Sequence, residues 1–331
     1  MRAIYLCNSR ENIDRVYGAR QREMLAALTD IDDRVYTLEE VRESSVARRA
    51  EVIFSTWGMP RLEKAEIREI FPELRAVFYA AGSVQAFAGP FISSGVKVFS
   101  AWMANGVPVA EYTVAQIMLA AKGYFRLMQL MRKNRADARE EMQNYPGMYD
   151  IKVGLLGLGA IGSCVAEMLK GYQCRVLAYD PFASDEKMAR LGAERATMEE
   201  IFAGCDIVSN HLANLPETQK IIRREHLLSM KDYSTFINTG RGMQLDEGDL
   251  LELLRTKPTV TALLDVLIDE ENSDVNPLNA LPNCFITPHI AGSMGNEVRR
   301  MAEYMAEECG RWQRGEELRY EVTGEMLRTM A

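Results

Sequence analysis

Three side chains able to carry acid–base and carboxylate chemistry lie late in the chain, each just past a short apolar run: Arg241, Glu270 and His289. Arg241 leaves the run Phe236-Ile237-Asn238-Thr239 flanked by Gly240 and Gly242. A guanidinium so placed suits bidentate binding of a carboxylate and polarisation of a carbonyl oxygen. It reads equally as a salt-bridged arginine in a turn. The segment Ala262 to Glu270 brings Asp265 and Glu270 to the end of a second apolar run, where they also read as a helix cap and a solvated acid. His289, one of three histidines with His211 and His226, sits in Thr287-Pro288-His289-Ile290-Ala291-Gly292. A lone histidine is more often structural, but a strand end beside Pro288 and Gly292 is where one is presented to a cleft. Paired with a glutamate it gains basicity and a fixed orientation, as a general acid/base near neutral pH requires.

Upstream, Val153 to Gly162 reads as a buried strand turning through Gly157-Leu158-Gly159-Ala160-Ile161-Gly162 into a helix. Gly157 permits the tight turn, Gly159 lets backbone approach a pyrophosphate, and Gly162 lets the helix pack on the strand. The free N–H groups at Ala160 and Ile161 and the positive helix end then hold the phosphates. Helix-compatible Ile161 to Lys170 ends at Gly171, read as its C-cap, and the next strand, Arg175 to Tyr179, delivers Asp180 eighteen positions after Gly162. A carboxylate there accepts both ribose hydroxyls and repels a 2′-phosphate, which favours NAD over NADP.

Positioning these groups takes a sheet whose strands point the same way. Ala3 to Leu6, Val52 to Ser55, Ala76 to Tyr79 and Val96 to Phe99 are strand candidates separated by charged helical segments, and imply a parallel sheet with helices on both faces. A second series runs from Ile151 through Arg175–Tyr179, Asp206–Ser209, Thr235–Asn238, Val260–Leu264 and Phe285–Thr287, the six strands of a full dinucleotide-binding sheet. Between them, Val109 to Met131 reads as one long helix linking the domains, and Asn296 to Arg314 as an amphipathic helix returning to the first.

The 331 residues suffice for two domains, and 39 basic against 47 acidic residues give a net charge of −8 without long blocks. Neither nucleic acid nor an anionic membrane is expected as a partner. No apolar run is long enough for a membrane span and the start reads as a strand, not a signal peptide, so the expected location is cytoplasmic. The six cysteines are scattered without metal-ligand spacing and read as reduced core residues; no metal site is expected.

In order, GLGAIG, YDP, NHLANLPET, INTGRG, LLDVLIDE and TPHIAGS resemble the D-isomer-specific 2-hydroxyacid dehydrogenase family from about residue 105 to 295. The resemblance implies two doubly wound α/β parallel-sheet domains, one flavodoxin-like for substrate (1–103 plus 296–331) and one Rossmann domain binding NAD (104–295). It implies that His289 exchanges a proton with the substrate oxygen, Glu270 tunes it, and Arg241 holds the carboxylate and carbonyl. Asp265 would bind the nicotinamide carboxamide, and His211, Thr239 and Gly292 would line the cofactor cleft. It also implies a homodimer through 109–131, a region more apolar than one domain core needs.

The N-terminal part resembles the family less. Tyr79 to Phe87 replaces a glycine-rich turn, yet the N–H groups of Ala81, Gly82 and Ser83 suit an anion-binding nest for a substrate carboxylate. Trp57, in Ser55-Thr56-Trp57-Gly58-Met59, suits closure over a small or apolar side chain and reads equally as a core tryptophan. Neither loop carries the basic cluster a phosphorylated substrate calls for, and Gly240 replaces the family's common alanine. Divergence of the 79–87 loop keeps a second class in view, an NAD(H)-responsive binding or regulatory protein; retention of Arg241, Glu270 and His289 together favours the enzyme.

Overall fold

The computed structural model describes residues 1–328. Thirteen strands occur among them: β1 (Arg2–Leu6), β2 (Asp30–Tyr36), β3 (Val52–Ser55), β4 (Ala76–Tyr79), β5 (Lys97–Ser100), β6 (Lys152–Leu156), β7 (Arg175–Tyr179), β8 (Ala193–Arg195), β9 (Ile207–Asn210), β10 (Thr235–Asn238), β11 (Thr261–Leu264), β12 (Cys284–Ile286) and β13 (Glu321–Val322). The chain divides into two compact units, Met1–Gly106 with the segment from Ser293 onward, and Val107–Gly292.

The first unit carries a sheet ordered β13-β5-β4-β3-β1-β2, parallel except for β13. VIFS in β3 and AVFY in β4 are buried at every position because helices cover both faces of a parallel sheet. Register places Phe54 opposite Phe78 and Phe78 opposite Phe99, so three rings stack across neighbouring strands at centroid separations of 5.3 and 4.5 Å. The helix Val298–Arg314 belongs to this unit and buries Val298, Met301, Ala302, Met305, Ala306 and Cys309 along one face. Its Trp312 reaches to 6.0 Å from the Phe78 ring.

The second unit carries an all-parallel sheet ordered β12-β11-β10-β9-β6-β7-β8. Side chains of one parity, among them Val153, Leu155, Ile207, Ile237 and Leu263, form a core on one face; Leu156, Val208, Phe236, Ala262 and Leu264 form another on the opposite face. The strand order reverses between β6 and β9, the switch point at which open α/β sheets bind ligands.

Three expectations change. The stretch 109–131 is two helices, Trp102–Ala121 and Tyr124–Lys133, separated by Gly123 at φ 66°. A Cβ at Gly123 would overlap the Tyr145 ring, so the chain turns there in a left-handed conformation that continuous apolar periodicity does not reveal. The helix after the glycine turn is Ala160–Leu169 and ends in right-handed Lys170, so Gly171 is not its C-cap. The second sheet has a seventh strand, β8, too short and charged to stand out (Ala-Glu-Arg).

Candidate active site

Because β6 and β9 to β12 run parallel, the segments that follow them emerge on one edge of the sheet, and the glycine turn and Arg241, Glu270 and His289 all lie in such segments. Gly157 has φ 88°, and a Cβ on it would lie 2.9 Å from the His211 carbonyl oxygen that follows β9. A Cβ on Gly162 would run into the Gly157 carbonyl oxygen. Gly159, the N-cap of Ala160–Leu169, has nothing within 4 Å of its Cβ position. Two glycines are thus demanded by protein packing, whereas Gly159 faces open space next to the helix N-terminus, where Ala160 is exposed and Ile161 partly so. These features fit a dinucleotide pyrophosphate.

Asp180 closes the turn from the other side. Its Oδ2 accepts the Leu158 N–H at 2.7 Å, and its Oδ1 accepts the N–H groups of Phe182 and Ala183 at 2.8 and 3.0 Å. A carboxylate offers about four acceptor positions, so one remains for a ribose hydroxyl where two were expected. Lys187 Nζ and Ser163 Oγ, not singled out from sequence, both donate to the Leu158 carbonyl, at 2.6 and 2.8 Å.

Glu270 accepts from His289 Nδ1 at 2.9 Å (Oε2) and 3.2 Å (Oε1), which leaves His289 Nε2 as the free ring nitrogen of that pair. His289 adopts φ 54°, unusual for a residue with a Cβ. The loop that holds it there is tied to Asp265, which is 2 % exposed. Asp265 accepts from Thr287 Oγ1 at 2.6 Å and from the N–H groups of Ile290 and Ala291 at 2.8 Å each. Three of its about four acceptor positions are therefore taken by the histidine loop, just before Gly292, and one on Oδ2 remains for the expected contact to a carboxamide. Thr287, also bonded to Tyr112 at 3.1 Å, was not legible as part of this clamp.

Arg241 is partly buried, and Nη1 donates to its neighbour Gly240's carbonyl at 2.7 Å. Burial pulls its guanidinium below the ordinary arginine range and the negative charge of Glu270 opposes that shift, so the cation and the His289–Glu270 pair share one electrostatic neighbourhood. His211 is buried, with Nε2 2.9 Å from Ser209 Oγ and Nδ1 3.5 Å from Thr239 Oγ1; Thr239 in turn meets Thr113 Oγ1 at 3.3 Å. Burial lowers the His211 imidazole to about 4, so it is neutral at physiological pH.

In the first unit, the Ala81 N–H donates to the Tyr79 carbonyl at 2.9 Å, which leaves Gly82 and Ser83 as the amides of that turn open to an anion. The Trp57 carbonyl accepts from Asn12 Nδ2 at 2.8 Å, its ring is partly buried against the core, and Arg15 lies over that ring at 5.9 Å. Among the described residues no cluster of metal-ligating side chains occurs, no helix is long and apolar enough to cross a membrane, and all six cysteines are free thiols.

Fold and site together define a dinucleotide-binding α/β protein that presents an Arg–Glu–His set beside its nucleotide turn. A family model described as "D-isomer specific 2-hydroxyacid dehydrogenase, NAD binding domain" matches residues 114–291, over half of the chain, and the chain belongs to that family. A glyoxylate reductase of Korarchaeum cryptofilum is 30% identical over 76% of this chain and 77% of its own length. A D-3-phosphoglycerate dehydrogenase of Archaeoglobus fulgidus is 31% identical over 65% of this chain, which spans only 40% of that relative. The NAD-complexed D-isomer-specific 2-hydroxyacid dehydrogenase of Lactobacillus delbrueckii shares the fold at TM-score 0.76 and 20% identity, over 98% of this chain and all of that one. A phosphoglycerate oxidoreductase of Rhizobium etli does so at TM-score 0.81 and 19% identity, over 97% and 98%.

Two outcomes test this geometry. Gly159→Ala folds with an unchanged Tm but binds NADH at least tenfold more weakly in a fluorescence titration, because the added methyl meets no protein atom and occupies the space of the phosphates. For His211, the folded pKa lies below the unfolded one, so the unfolded chain binds the extra proton between about pH 6.5 and 4. Its stabilisation is complete above that window and is lost as pH falls through it, by at most about 3 kcal/mol. Thermal melts from pH 7 to 4.5 should accordingly show a smaller loss of Tm in His211→Asn than in the wild type.

Proposed function

We propose that the protein interconverts a small 2-keto acid and the corresponding D-2-hydroxy acid with NAD(H). The observation that supports this most directly is the His289–Glu270 pair at 2.9 Å, with Arg241 in the electrostatic reach of the glutamate, beside a glycine turn that fits a dinucleotide. When bound, the nicotinamide supplies or accepts the hydride at substrate C2. Gly157, Gly159, Ala160, Ile161, Gly162 and Asp180 are assigned to the pyrophosphate and ribose, and His211, Thr239, Asp265 and Gly292 to the walls around the nicotinamide. Arg241 binds the carboxylate and polarises the carbonyl oxygen; in the first unit the amides of Gly82 and Ser83 are assigned to substrate oxygens and Trp57 to the substrate side chain. His289 Nε2 gives a proton to the substrate oxygen in reduction and takes it back in oxidation, while Glu270 fixes the ring and stabilises the imidazolium.

Expression of all three groups together favours catalysis over a purely NAD-responsive binding role. The net charge of −8 and the free cysteines support a cytoplasmic protein with no nucleic-acid or membrane partner. A homodimer through 109–131 is part of the proposal, since Met118, Leu119, Tyr124 and Met131 are 37 to 53% exposed and the helix Tyr124–Lys133 buries no residue fully.

NADH oxidation against glyoxylate, hydroxypyruvate, pyruvate, branched and aromatic 2-keto acids tests the activity. Turnover of at least one, with kcat reduced 10²- to 10⁴-fold in His289→Ala and less in Glu270→Gln, is expected. NADH binding without turnover of any keto acid would transfer support to the sensing role. Light scattering should give twice the chain's mass, falling to one chain in a Met118→Glu/Met131→Glu variant; a monomeric wild type removes the dimer.

A further inference from the structure

The turn that carries Arg241 rests on three side-chain amides sealed inside the second unit. Asn210 and Asn238 end β9 and β10 directly opposite each other in register, and Gln244 closes the single helical turn Gly242–Gln244 that follows Arg241. Exposure is 0% for Asn210 and Gln244 and 1% for Asn238. Asn210 Nδ2 donates to Asn238 Oδ1 at 2.9 Å and to Gln244 Oε1 at 2.6 Å, while its Oδ1 accepts the Leu212 N–H at 3.2 Å. Asn238 Oδ1 also accepts the Gly240 N–H at 3.0 Å, and its Nδ2 donates to the Arg241 carbonyl at 3.2 Å. Gln244 Oε1 accepts the Arg241 N–H at 3.0 Å, and its Nε2 donates to the carbonyls of Leu212 and Ala213 at 2.8 and 2.9 Å.

Both backbone polar groups of Arg241 are thus held by buried amides. So is the N–H of Gly240, whose carbonyl receives the Arg241 guanidinium. Rotating the Arg241 peptide would strand several of these groups without water to replace their partners. Position 240 belongs to the same arrangement, because a Cβ there would lie 2.7 Å from Gln244 Oε1 and 2.9 Å from Asn210 Nδ2. Glycine at 240 is the space the amides require. A satisfied buried polar network rigidifies the groups it joins, and the groups joined here are those of the Arg241 turn.

We infer that Asn210, Asn238 and Gln244, with Gly240 as the necessary gap, are positioning residues that set the Arg241 guanidinium for the substrate carboxylate. The inference rests on Arg241 being the substrate-binding arginine. The network bonds the Arg241 turn directly and reaches the glycine turn only through the Leu212 backbone beside Gly157, so its loss acts on the acid more than on the dinucleotide.

The test uses the whole chain with NADH and the dianion oxalate, a mimic of a 2-keto acid, titrated calorimetrically into the enzyme–NADH complex; KM and kcat are measured for the best keto acid of the panel. Gln244→Met, which keeps shape without polar atoms, should weaken oxalate and raise KM at least tenfold, with kcat changed less and NADH affinity falling by a smaller factor than oxalate affinity. Gly240→Ala should do the same in the wild type but have a smaller further effect in a Gln244→Ala background, where the nearest clash, with Gln244 Oε1 at 2.7 Å, is gone. This second comparison decides the matter if Gln244→Met does not fold. Unchanged oxalate binding in both Gln244→Met and Gly240→Ala, or equal effects of Gly240→Ala in both backgrounds, overturns the inference while Arg241→Ala still abolishes oxalate binding. If instead Arg241→Ala binds oxalate like the wild type, or the wild type does not bind it, the reading of Arg241 itself fails, and the inference with it.

Discussion

The site depends on the close approach of β6 and β9, the neighbours across which the strand order reverses. Their pairing brings the Gly157 turn against the backbone of His211 so tightly that no Cβ fits between them. Once those two ends are fixed, parallel pairing carries β10, β11 and β12 outward in register, and the residues that follow them have to emerge on the same edge. A dinucleotide turn, a guanidinium and an imidazole from distant parts of the chain become neighbours through sheet geometry, with no local affinity among them.

Around that edge the interior becomes polar where each turn needs a defined shape. Asp265 binds three donors of the His289 loop, and the left-handed backbone of His289 persists because the surrounding bonds determine it. Asn210, Asn238 and Gln244 treat the Arg241 turn likewise. Asp180 does the same for the glycine turn. Each of these side chains also has the chemistry to bind a ligand, yet most of its capacity goes to backbone groups of the chain. The groups whose capacity is not spent in this way include the imidazole edge of His289, the half-buried Arg241 guanidinium, and the amides at the start of Ala160–Leu169. Such division of labour suits a preorganised site, since reacting groups need not be ordered when substrate arrives.

Much of this was legible in residue order. Doubly buried strands such as VIFS and AVFY announce themselves as continuous apolar runs, and the glycine spacing marks the nucleotide turn. The Arg241, Glu270 and His289 intervals, with the motifs around them, indicate the family and the acid–base set. Less legible were elements whose role is set by position: β2, with the sequence DIDDRVY, is a strand because it pairs with β1 at the sheet edge, where its charges reach water. The apolar stretch 109–131 hides its break, since the reason for the turn is a tyrosine ring from residue 145 pressed on Gly123.

Sequence by itself determined the chemical vocabulary: which strands are buried, where a pyrophosphate fits, and which cation, carboxylate and imidazole are available for chemistry. These follow from residue type and short-range spacing, which act before any long-range contact exists. Tertiary structure alone decided what each polar group faces. Asp180 and Asp265 read as ligand-binding carboxylates in the chain, and in the fold each also holds three donors of the chain, while Asn210 and Gln244, unremarked as letters, bond the Leu212 and Arg241 N–H groups. Hydrogen bonding saturates, so a side chain's remaining capacity is known only after its neighbours have claimed their share.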